Sequence, residues 1–175
     1  MTAKRGGRKP RGMARAGADA GGTRSAGRGG AAGECDAAPI PAEIRPAAPP
    51  GLHLVSTPIG DGRDVTLRAL DLLAGADVIA AEDTRTLRRL LALHGIPLGG
   101  RRLVAYADAT AARARPGLLA ALAEGASVTL VSEAGTPLIS DPGWRLAREA
   151  REAGAQVRAA PGASALLAAL AVAGL

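Results

Sequence analysis

From residue 51 onward, short apolar runs alternate with longer stretches in which leucines recur at helical spacing. The apolar runs are continuous and do not alternate with polar residues, which is typical of strands covered on both faces. They occupy residues 52–55, 78–81, 103–105, 128–131 and 157–160. This alternation predicts an α/β domain with an open, mostly parallel five-stranded sheet and helices on both faces.

The intervening segments predict helices with recognisable ends. Thr84 is the expected N-cap of the helix over residues 84–94, and Gly95 its C-terminal stop. Pro116-Gly117 predicts an interruption in the Ala-rich helix after residue 105, because proline lacks the N–H that a helix interior needs. The run over residues 163–175 is apolar, short and Ala-rich, and therefore predicts a buried helix and no membrane span.

The first 50 residues have a different composition. They hold nine Lys/Arg and four Asp/Glu, leaving thirteen Arg and twelve Asp/Glu for residues 51–175, so the basic charge of the chain lies mainly in this segment. Its Gly, Ala and Pro cannot bury enough apolar surface to offset the entropy of ordering, which predicts a disordered basic tail. A solubilising leader, an arm attracted to RNA phosphates and a downstream start codon remain open.

Several classes of protein are not indicated. Cys35 is the single cysteine and the chain has two histidines, so neither a disulfide nor a metal site is expected. The basic start is not followed by the apolar run of a secretory signal, and no uninterrupted stretch reaches membrane-spanning length. A cytoplasmic protein without a membrane partner is the expectation.

Turns rich in Gly and Pro follow three of the predicted strands, at residues 56–60, 132–137 and 161–164. In open parallel sheets, ligands bind beyond the carboxyl ends of the strands. Glycine permits close backbone approach, and the N-terminus of the following helix suits a carboxylate or phosphate. Taken alone, each turn is more often a plain connection; together they predict a small-molecule cleft. Neither G-x-G-x-x-G nor the P-loop motif occurs, so a common dinucleotide or triphosphate site is not indicated.

A fourth candidate, Glu82-Asp83-Thr84-Arg85, directly follows the second predicted strand. Two acids and a base at a strand end can hold a ribose hydroxyl or an incoming substrate. The same residues also suit a helix N-cap with favourable acidic charge in the first turn, and both interpretations stay open. Arg88-Arg89 and Arg101-Arg102 indicate solvated faces more than an RNA track.

These motifs carry a resemblance to a known family. The matching stretches are LVSTPIG (54–60), DVTLRAL (64–70), IAAEDTR (79–85), VSEAGTPLISDPG (131–143) and PGASA (161–165). Their order and spacing resemble the ribosomal RNA small-subunit methyltransferase I family, the cytidine 2′-O-methyltransferases of the tetrapyrrole methylase superfamily. The resemblance covers essentially all of residues 51–175.

The resemblance implies two α/β domains with S-adenosylmethionine between them, usually in a homodimer. The implied substrate is the ribose of a cytidine in 16S ribosomal RNA of the small ribosomal subunit. Relatives continue into a second domain, so this chain is expected to hold a tail (1–50) and a truncated N-terminal domain (51–175). The cofactor residues implied by position are Thr57, Pro58, Ile59, Gly60, Ser132, Glu133, Ala134, Gly135, Thr136, Pro137, Ile139, Ser140, Pro161 and Gly162.

The resemblance also suggests catalytic roles and leaves alternatives. The hypothesis is that Asp83 or Glu82 takes the ribose proton or orients the ribose, and that Arg85 contacts RNA phosphate. Residues 106–110 lack the His and Asn that family members usually carry there. One alternative is a methylase of cobalamin or sirohaem precursors, although those usually show Gly-Asp-Pro where Gly135-Thr136-Pro137 stands. The other is a non-catalytic fragment that binds RNA or dimerises.

Overall fold

The structure is a computed structural model that describes residues 47–138 and 142–174. Strands and helices alternate strictly along the chain. They are β1 (Gly51–Val55), α1 (Leu67–Gly75), β2 (Val78–Ala81), α2 (Thr84–Leu93), β3 (Arg102–Ala105), α3 (Asp108–Ala123), β4 (Ser127–Val131), α4 (Gly143–Glu152), β5 (Val157–Ala160) and α5 (Ala165–Ala173). Most of the predicted tail, residues 1–46, lies outside the described residues. Its described end packs on the domain, because Ala48 is buried and its N–H donates to the Gly75 carbonyl (3.1 Å).

All five strands are parallel and lie in the order β3-β2-β4-β1-β5, which confirms the predicted sheet. The inner strands β2 and β4 are buried along their whole length, whereas the edge strands β3 and β5 are partly exposed. The continuous apolar runs in the sequence thus reflect cover on both faces of the inner strands.

Two helical layers enclose the sheet. Helices α1 and α2 bury Leu73, Leu87 and Leu91 against one face, and α3 and α4 bury Leu118 and Leu146 against the other. The chain first steps towards the β3 edge and then returns through β4 to β5, so right-handed crossovers place the two helix pairs on opposite faces. The connections after the neighbouring strands β1 and β4 therefore lead to helices on opposite faces, and open α/β sheets bind ligands at the carboxyl edge where this happens.

Two predicted helix features are wrong. Asp83, not Thr84, caps α2, since its carboxylate accepts hydrogen bonds from the N–H groups of Arg85 (2.7 Å) and Thr86 (3.3 Å). Helix α3 runs unbroken through Pro116. Proline removes one bond to the carbonyl of Ala112, but both residues are exposed, so water can satisfy that carbonyl.

The predicted burial of the last helix is also wrong. None of the described residues of α5 is buried, and Leu166, Leu167, Leu170 and Val172 are all exposed. An apolar sequence indicates that a helix can be buried, but a packing partner must also be present, and α5 follows the edge strand β5. No helix in the described ranges is both long and apolar enough to cross a membrane.

Arg101 has a structural role that the sequence pattern did not indicate. Its guanidinium donates to the carbonyls of Leu73, Ala74 (2.9 Å) and Pro97 (2.7 Å), and its Nε donates to the Leu98 carbonyl (3.0 Å). The last carbonyls of a helix lack partners within the helix, and Arg101 supplies them for α1. Burial lowers the pKa of Arg101 from its usual value.

Candidate ligand cleft at the carboxyl edge of the sheet

The loops that follow β1 and β4 are joined by an antiparallel bridge between Thr57 and Gly135. The Thr57 N–H donates to the Gly135 carbonyl (2.9 Å), and the Gly135 N–H donates to the Thr57 carbonyl (3.0 Å). Gly135 has a φ of 80°, in the left-handed region that favours glycine. The bridge fixes the two loops against each other.

The loop after β5 joins the same assembly. The hydroxyl of Thr136 donates to the Ala163 carbonyl (3.0 Å) and accepts from the hydroxyl of Ser56 (3.1 Å). Gly162 lies so close to Ser56 that a Cβ on this glycine would stand 2.9 Å from the Ser56 Cβ. The three loops therefore converge at one edge, as the sequence predicted.

An open cleft of about 250 Å³ lies beside these loops. Of the residues predicted to bind a cofactor, five line it: Thr57, Pro58, Gly60, Ser132 and Glu133. The others that the structure describes build the loops without lining this cleft: Ile59, Ala134, Gly135, Thr136, Pro137, Pro161 and Gly162. Ile139 and Ser140 lie outside the described residues.

Helix α2 supplies a wall of the cleft that sequence reasoning missed. The additional lining residues are Gly62, Thr86, Leu87, Arg89, Leu90, Leu93 and Val131. Leucine spacing indicated only a buried helix face, and the adjacent arginines indicated a solvated one. The helix reaches the cleft because β2, whose end starts α2, lies next to β4 in the sheet. His94 holds this wall in place, since its Nε2 donates to the Gly62 carbonyl (2.9 Å).

Glu82, Asp83 and Arg85 stand beside this cleft but do not line it. The Oε2 atom of Glu82 accepts the N–H of Glu133 (2.9 Å), which ties the end of β2 to the loop after β4. Glu82 thus positions Glu133, a lining residue.

Asp83 is both the cap of α2 and the partner of Arg85. Its Oδ2 lies 3.2 Å from Nη2 of Arg85, whose side chain is 83% exposed. Hydrogen bonds from the Arg85 side chain, and then from its backbone N–H, hold the pKa of Asp83 below its usual value, and the same pairing raises the pKa of Arg85. Asp83 is therefore ionised at neutral pH and is a weak base in this arrangement.

The outer side of α2 is basic. It exposes Arg85, Arg88 and Arg89, and the helix contains no acidic residue. Arg89 also lines the cleft. A polyanion such as RNA would be attracted to this helix, most strongly at low salt. Among the described residues, no group of three His, Cys, Asp or Glu side chains is placed to hold a metal ion.

The cleft combines a carboxylate, a guanidinium and apolar surface, which suit an amphipathic nucleoside with charged groups. The Glu133 carboxylate could accept from a ribose diol or an ammonium group, while Pro58, Leu87 and Leu90 offer apolar surface to a purine ring. A Cβ added to Gly60 would meet no atom within 4 Å, so its backbone borders open space. The volume of about 250 Å³ suits part of a nucleoside-sized ligand.

Comparisons with known proteins show the family of this chain. The profile of the Tetrapyrrole (Corrin/Porphyrin) Methylases matches residues 51–175. A protein named ribosomal RNA small subunit methyltransferase I, from Mesorhizobium japonicum, is 54% identical over 132 residues, which cover 74% of this chain and 44% of the relative. One of the same name from Escherichia coli O157:H7 is 49% identical, covering 71% of this chain and 42% of the relative. The chain thus spans less than half the length of these relatives.

Solved structures share the fold. A uroporphyrin-III-C-methyltransferase from Thermus thermophilus superposes with a TM-score of 0.54 at 27% identity, covering 75% of this chain and 54% of that one. A cobalt precorrin-4 methyltransferase superposes with a TM-score of 0.56 at 23% identity, covering 70% and 50%, and supports the fold alone. The chain therefore belongs to the tetrapyrrole methylase family and is similar in sequence to members named ribosomal RNA small subunit methyltransferase I.

Proposed function

We propose that the cleft binds S-adenosylmethionine and that the site serves methylation of small-subunit ribosomal RNA. The observation that carries this proposal is the convergence of three strand-end loops beside a cleft whose other wall is the basic helix α2. Sequence similarity supports RNA over a tetrapyrrole substrate. The relatives named for ribosomal RNA are 54% and 49% identical, whereas the solved uroporphyrin-III methyltransferase is 27% identical.

The proposed acceptor is the 2′-hydroxyl of a cytidine ribose in 16S ribosomal RNA. S-adenosylmethionine, when bound, supplies a methyl group already activated by its sulfonium charge. The protein then has to hold the hydroxyl in line, with the reacting atoms roughly 3 Å apart, and to ease the loss of its proton. The exposed arginines of α2 would attract the phosphates of the RNA that carries this ribose.

We assign proposed roles to the acidic cluster on the basis of its contacts. Glu82 keeps Glu133 in position through the hydrogen bond to its N–H. Asp83 orients the ribose or accepts its proton, and its lowered pKa favours the orienting role. Arg85 contacts an RNA phosphate, because its guanidinium is exposed while being anchored by Asp83.

The proposal also includes the partner, the compartment, the oligomeric state and the domain organisation. The partner is the RNA of the small ribosomal subunit, in the cytoplasm, and the active form is a homodimer. The organisation into a basic tail (1–50) and an N-terminal methylase domain (51–175) is part of the proposal. In this organisation the cleft is one part of the cofactor site, and a further domain supplies the rest. The longer relatives have room for such a domain.

The first experiment is calorimetry of S-adenosylmethionine with the whole chain. We expect binding, and we expect Gly60→Ala to weaken it on the order of tenfold, because the added methyl group enters the cleft. The free energy of unfolding should be unchanged or slightly increased, since that methyl group meets no protein atom. Gly100→Ala is the matched control. A Cβ at Gly100 also meets no atom within 4 Å, and Gly100 precedes β3, at the amino ends of the strands and not at the carboxyl ends where the cleft lies.

Three outcomes separate the interpretations of this experiment. A folded wild-type chain that takes up no S-adenosylmethionine would overturn the cofactor proposal. Binding that is accompanied by transfer of labelled methyl to small-subunit RNA would support the full proposal. Binding without transfer would identify the chain as a non-catalytic fragment.

The second experiment tests the role of Asp83 with Asp83→Asn. Asparagine caps helices as well as aspartate does, so the free energy of unfolding should stay close to that of the wild type. If the carboxylate orients or deprotonates the ribose, methyl transfer should slow by about 10² or more while S-adenosylmethionine affinity persists. Transfer at the wild-type rate would remove Asp83 from the catalytic group and leave it as a helix cap.

A further inference from the structure

A large aromatic side chain is exposed on the side of the sheet opposite to α2. Trp144, in the first turn of α4, is 48% exposed and is the single tryptophan of a chain that has one tyrosine and no phenylalanine. The guanidinium carbon of Arg145 lies 5.2 Å from the centroid of the indole ring. The guanidinium lies over the ring in a cation–π contact, so the positive charge is at one face of the indole and a base would stack on the other.

Trp144 also borders a cavity between α3 and α4. This cavity, of about 280 Å³, is lined by Asp108, Ala111, Ala112, Arg115, Pro142, Trp144 and Arg145. An adjoining cavity of about 270 Å³ shares Arg115, Trp144 and Arg145 with it. We call the first cavity and its lining the Trp144 pocket. Each of these spaces is several times the volume of a water molecule, about 30 Å³.

Among the described residues, two of the three arginines that line the Trp144 pocket and the adjoining cavity form ion pairs. Arg115 is paired with Glu149 (3.1 Å), and Arg148 is paired with Glu152 (2.8 Å). Arg145, by contrast, has no carboxylate of the described residues within ion-pair distance. The single carboxylate of the pocket lining is Asp108, which is exposed.

The Trp144 pocket lies at the carboxyl edge of the sheet, as the candidate cleft does. Helices α3 and α4 both begin beyond the carboxyl ends of the strands that precede them, and the pocket residues come from their first two turns and from Pro142. The cleft is built with α2, from the other helical layer, and the two lining sets share no residue. A flexible nucleic-acid strand that crosses the carboxyl edge could contact both the cleft and the Trp144 pocket.

We propose that the Trp144 pocket binds an unpaired base of single-stranded RNA, with the base stacked on Trp144 and a neighbouring phosphate held by Arg145. This inference rests on the proposed RNA substrate and adds a second contact point to it. Stacking on an aromatic ring beside a cation is how single-stranded nucleic acid is held with little regard to sequence. The Asp108 carboxylate can accept from an exocyclic amino group, so it favours cytosine or adenine over uracil.

Because Trp144 is the single tryptophan, its fluorescence reports on this pocket directly. We expect a short oligocytidylate to quench the emission of the wild-type chain saturably, since a stacked base contacts the indole ring. Oligouridylate should quench at higher concentrations. Polyglutamate, which brings negative charge without a base, should not quench.

Variants then separate stacking from charge. Binding of an end-labelled oligocytidylate, measured by anisotropy, should weaken on the order of tenfold in Trp144→Ala and recover in Trp144→Phe, which keeps an aromatic face. Arg145→Ala should weaken binding and reduce its salt dependence. Arg151→Ala is the matched control, because it removes an exposed arginine of the same helix outside the pocket.

The outcomes that overturn this proposal differ from those that overturn the proposed function. The Trp144 pocket would be overturned by unchanged emission while RNA binds, or by equal RNA affinity in Trp144→Ala and Arg151→Ala. Quenching by polyglutamate or the absence of any RNA binding would also overturn it. Equal affinity for oligocytidylate and oligouridylate would overturn the role of Asp108. A chain that shows the quenching but binds no S-adenosylmethionine would overturn the cofactor proposal and leave the pocket standing.

Discussion

At the scale of single residues, Asp77 joins the amino ends of two inner strands. Its Oδ2 accepts hydrogen bonds from the Ser127 hydroxyl (2.6 Å) and the Ser127 N–H (2.8 Å). These bonds, the one from the hydroxyl first, hold the pKa of Asp77 below its usual value, although burial acts in the opposite direction. Asp77 precedes β2 and Ser127 begins β4, so the pair fixes the register of the two strands.

This lowered pKa predicts how stability depends on pH. Folding favours the ionised carboxylate, so its stabilising effect is fully present above the unfolded pKa, about 4, and is lost as the pH falls through the lower folded pKa. Asp77→Asn should therefore be less stable than the wild type at pH 7, and the difference should shrink below about pH 4. Chemical denaturation between pH 3 and pH 7 measures it.

Asp64→Asn is the control for this titration, because Asp64 is exposed and its carboxylate has no hydrogen bond to a described residue. Its stability relative to the wild type should vary much less over the same range. A difference between the wild type and Asp77→Asn that stays constant down to pH 3 would contradict the proposed linkage.

At the scale of elements, three helices end in the same way. A glycine with positive φ follows the last helical residues of α2, α3 and α4, namely Gly95 (62°), Gly125 (84°) and Gly154 (83°). After α4, the N–H of Gly154 donates to the Arg151 carbonyl (3.0 Å), and that of Ala155 donates to the Ala150 carbonyl (2.9 Å). This pair of bonds is the Schellman motif, which satisfies carbonyls that the helix leaves without partners.

Gly154→Ala tests how much this helix ending depends on glycine. A Cβ at Gly154 would meet no atom within 4 Å, so any loss of stability comes from the positive φ alone. We expect a decrease of about 1 kcal/mol in the free energy of unfolding. Gly100→Ala, without a positive φ and with the same open surroundings, should be neutral or slightly stabilising. Equal stability of the two variants would contradict this explanation.

At the scale of the whole molecule, the strand order creates the site. Ser56 and Thr136 are 80 positions apart in the sequence, yet their hydroxyls are hydrogen-bonded because β1 lies between β4 and β5. The crossovers before β3 run towards one edge strand and place α2 on one face of the sheet. The crossovers after β3 run towards the other edge strand and place α4 on the opposite face. The cleft and the Trp144 pocket are therefore separate surfaces of one sheet edge. Helix α5 leaves this edge with its leucines exposed.

The sequence predicted the strands well and the helix details less well. The runs at residues 78–81 and 157–160 coincide with β2 and β5, because period and composition are local properties. The predicted N-cap at Thr84 and the predicted interruption at Pro116 were wrong for local reasons too. Asp83 is a competing cap one residue earlier, and an exposed helix face tolerates a proline. The burial of α5 was misjudged because burial requires a neighbour that a local pattern does not contain.

The sequence by itself determined which segments form strands and helices and which turns carry glycine and proline, since these depend on residues close together in the chain. Tertiary structure alone decided that Leu90 and Arg89 face the cleft, that Glu82 holds Glu133, and that Trp144 stands beside Arg115. The physical reason is that parallel strands joined by crossovers bring distant segments together in an order that no local pattern of apolar residues encodes.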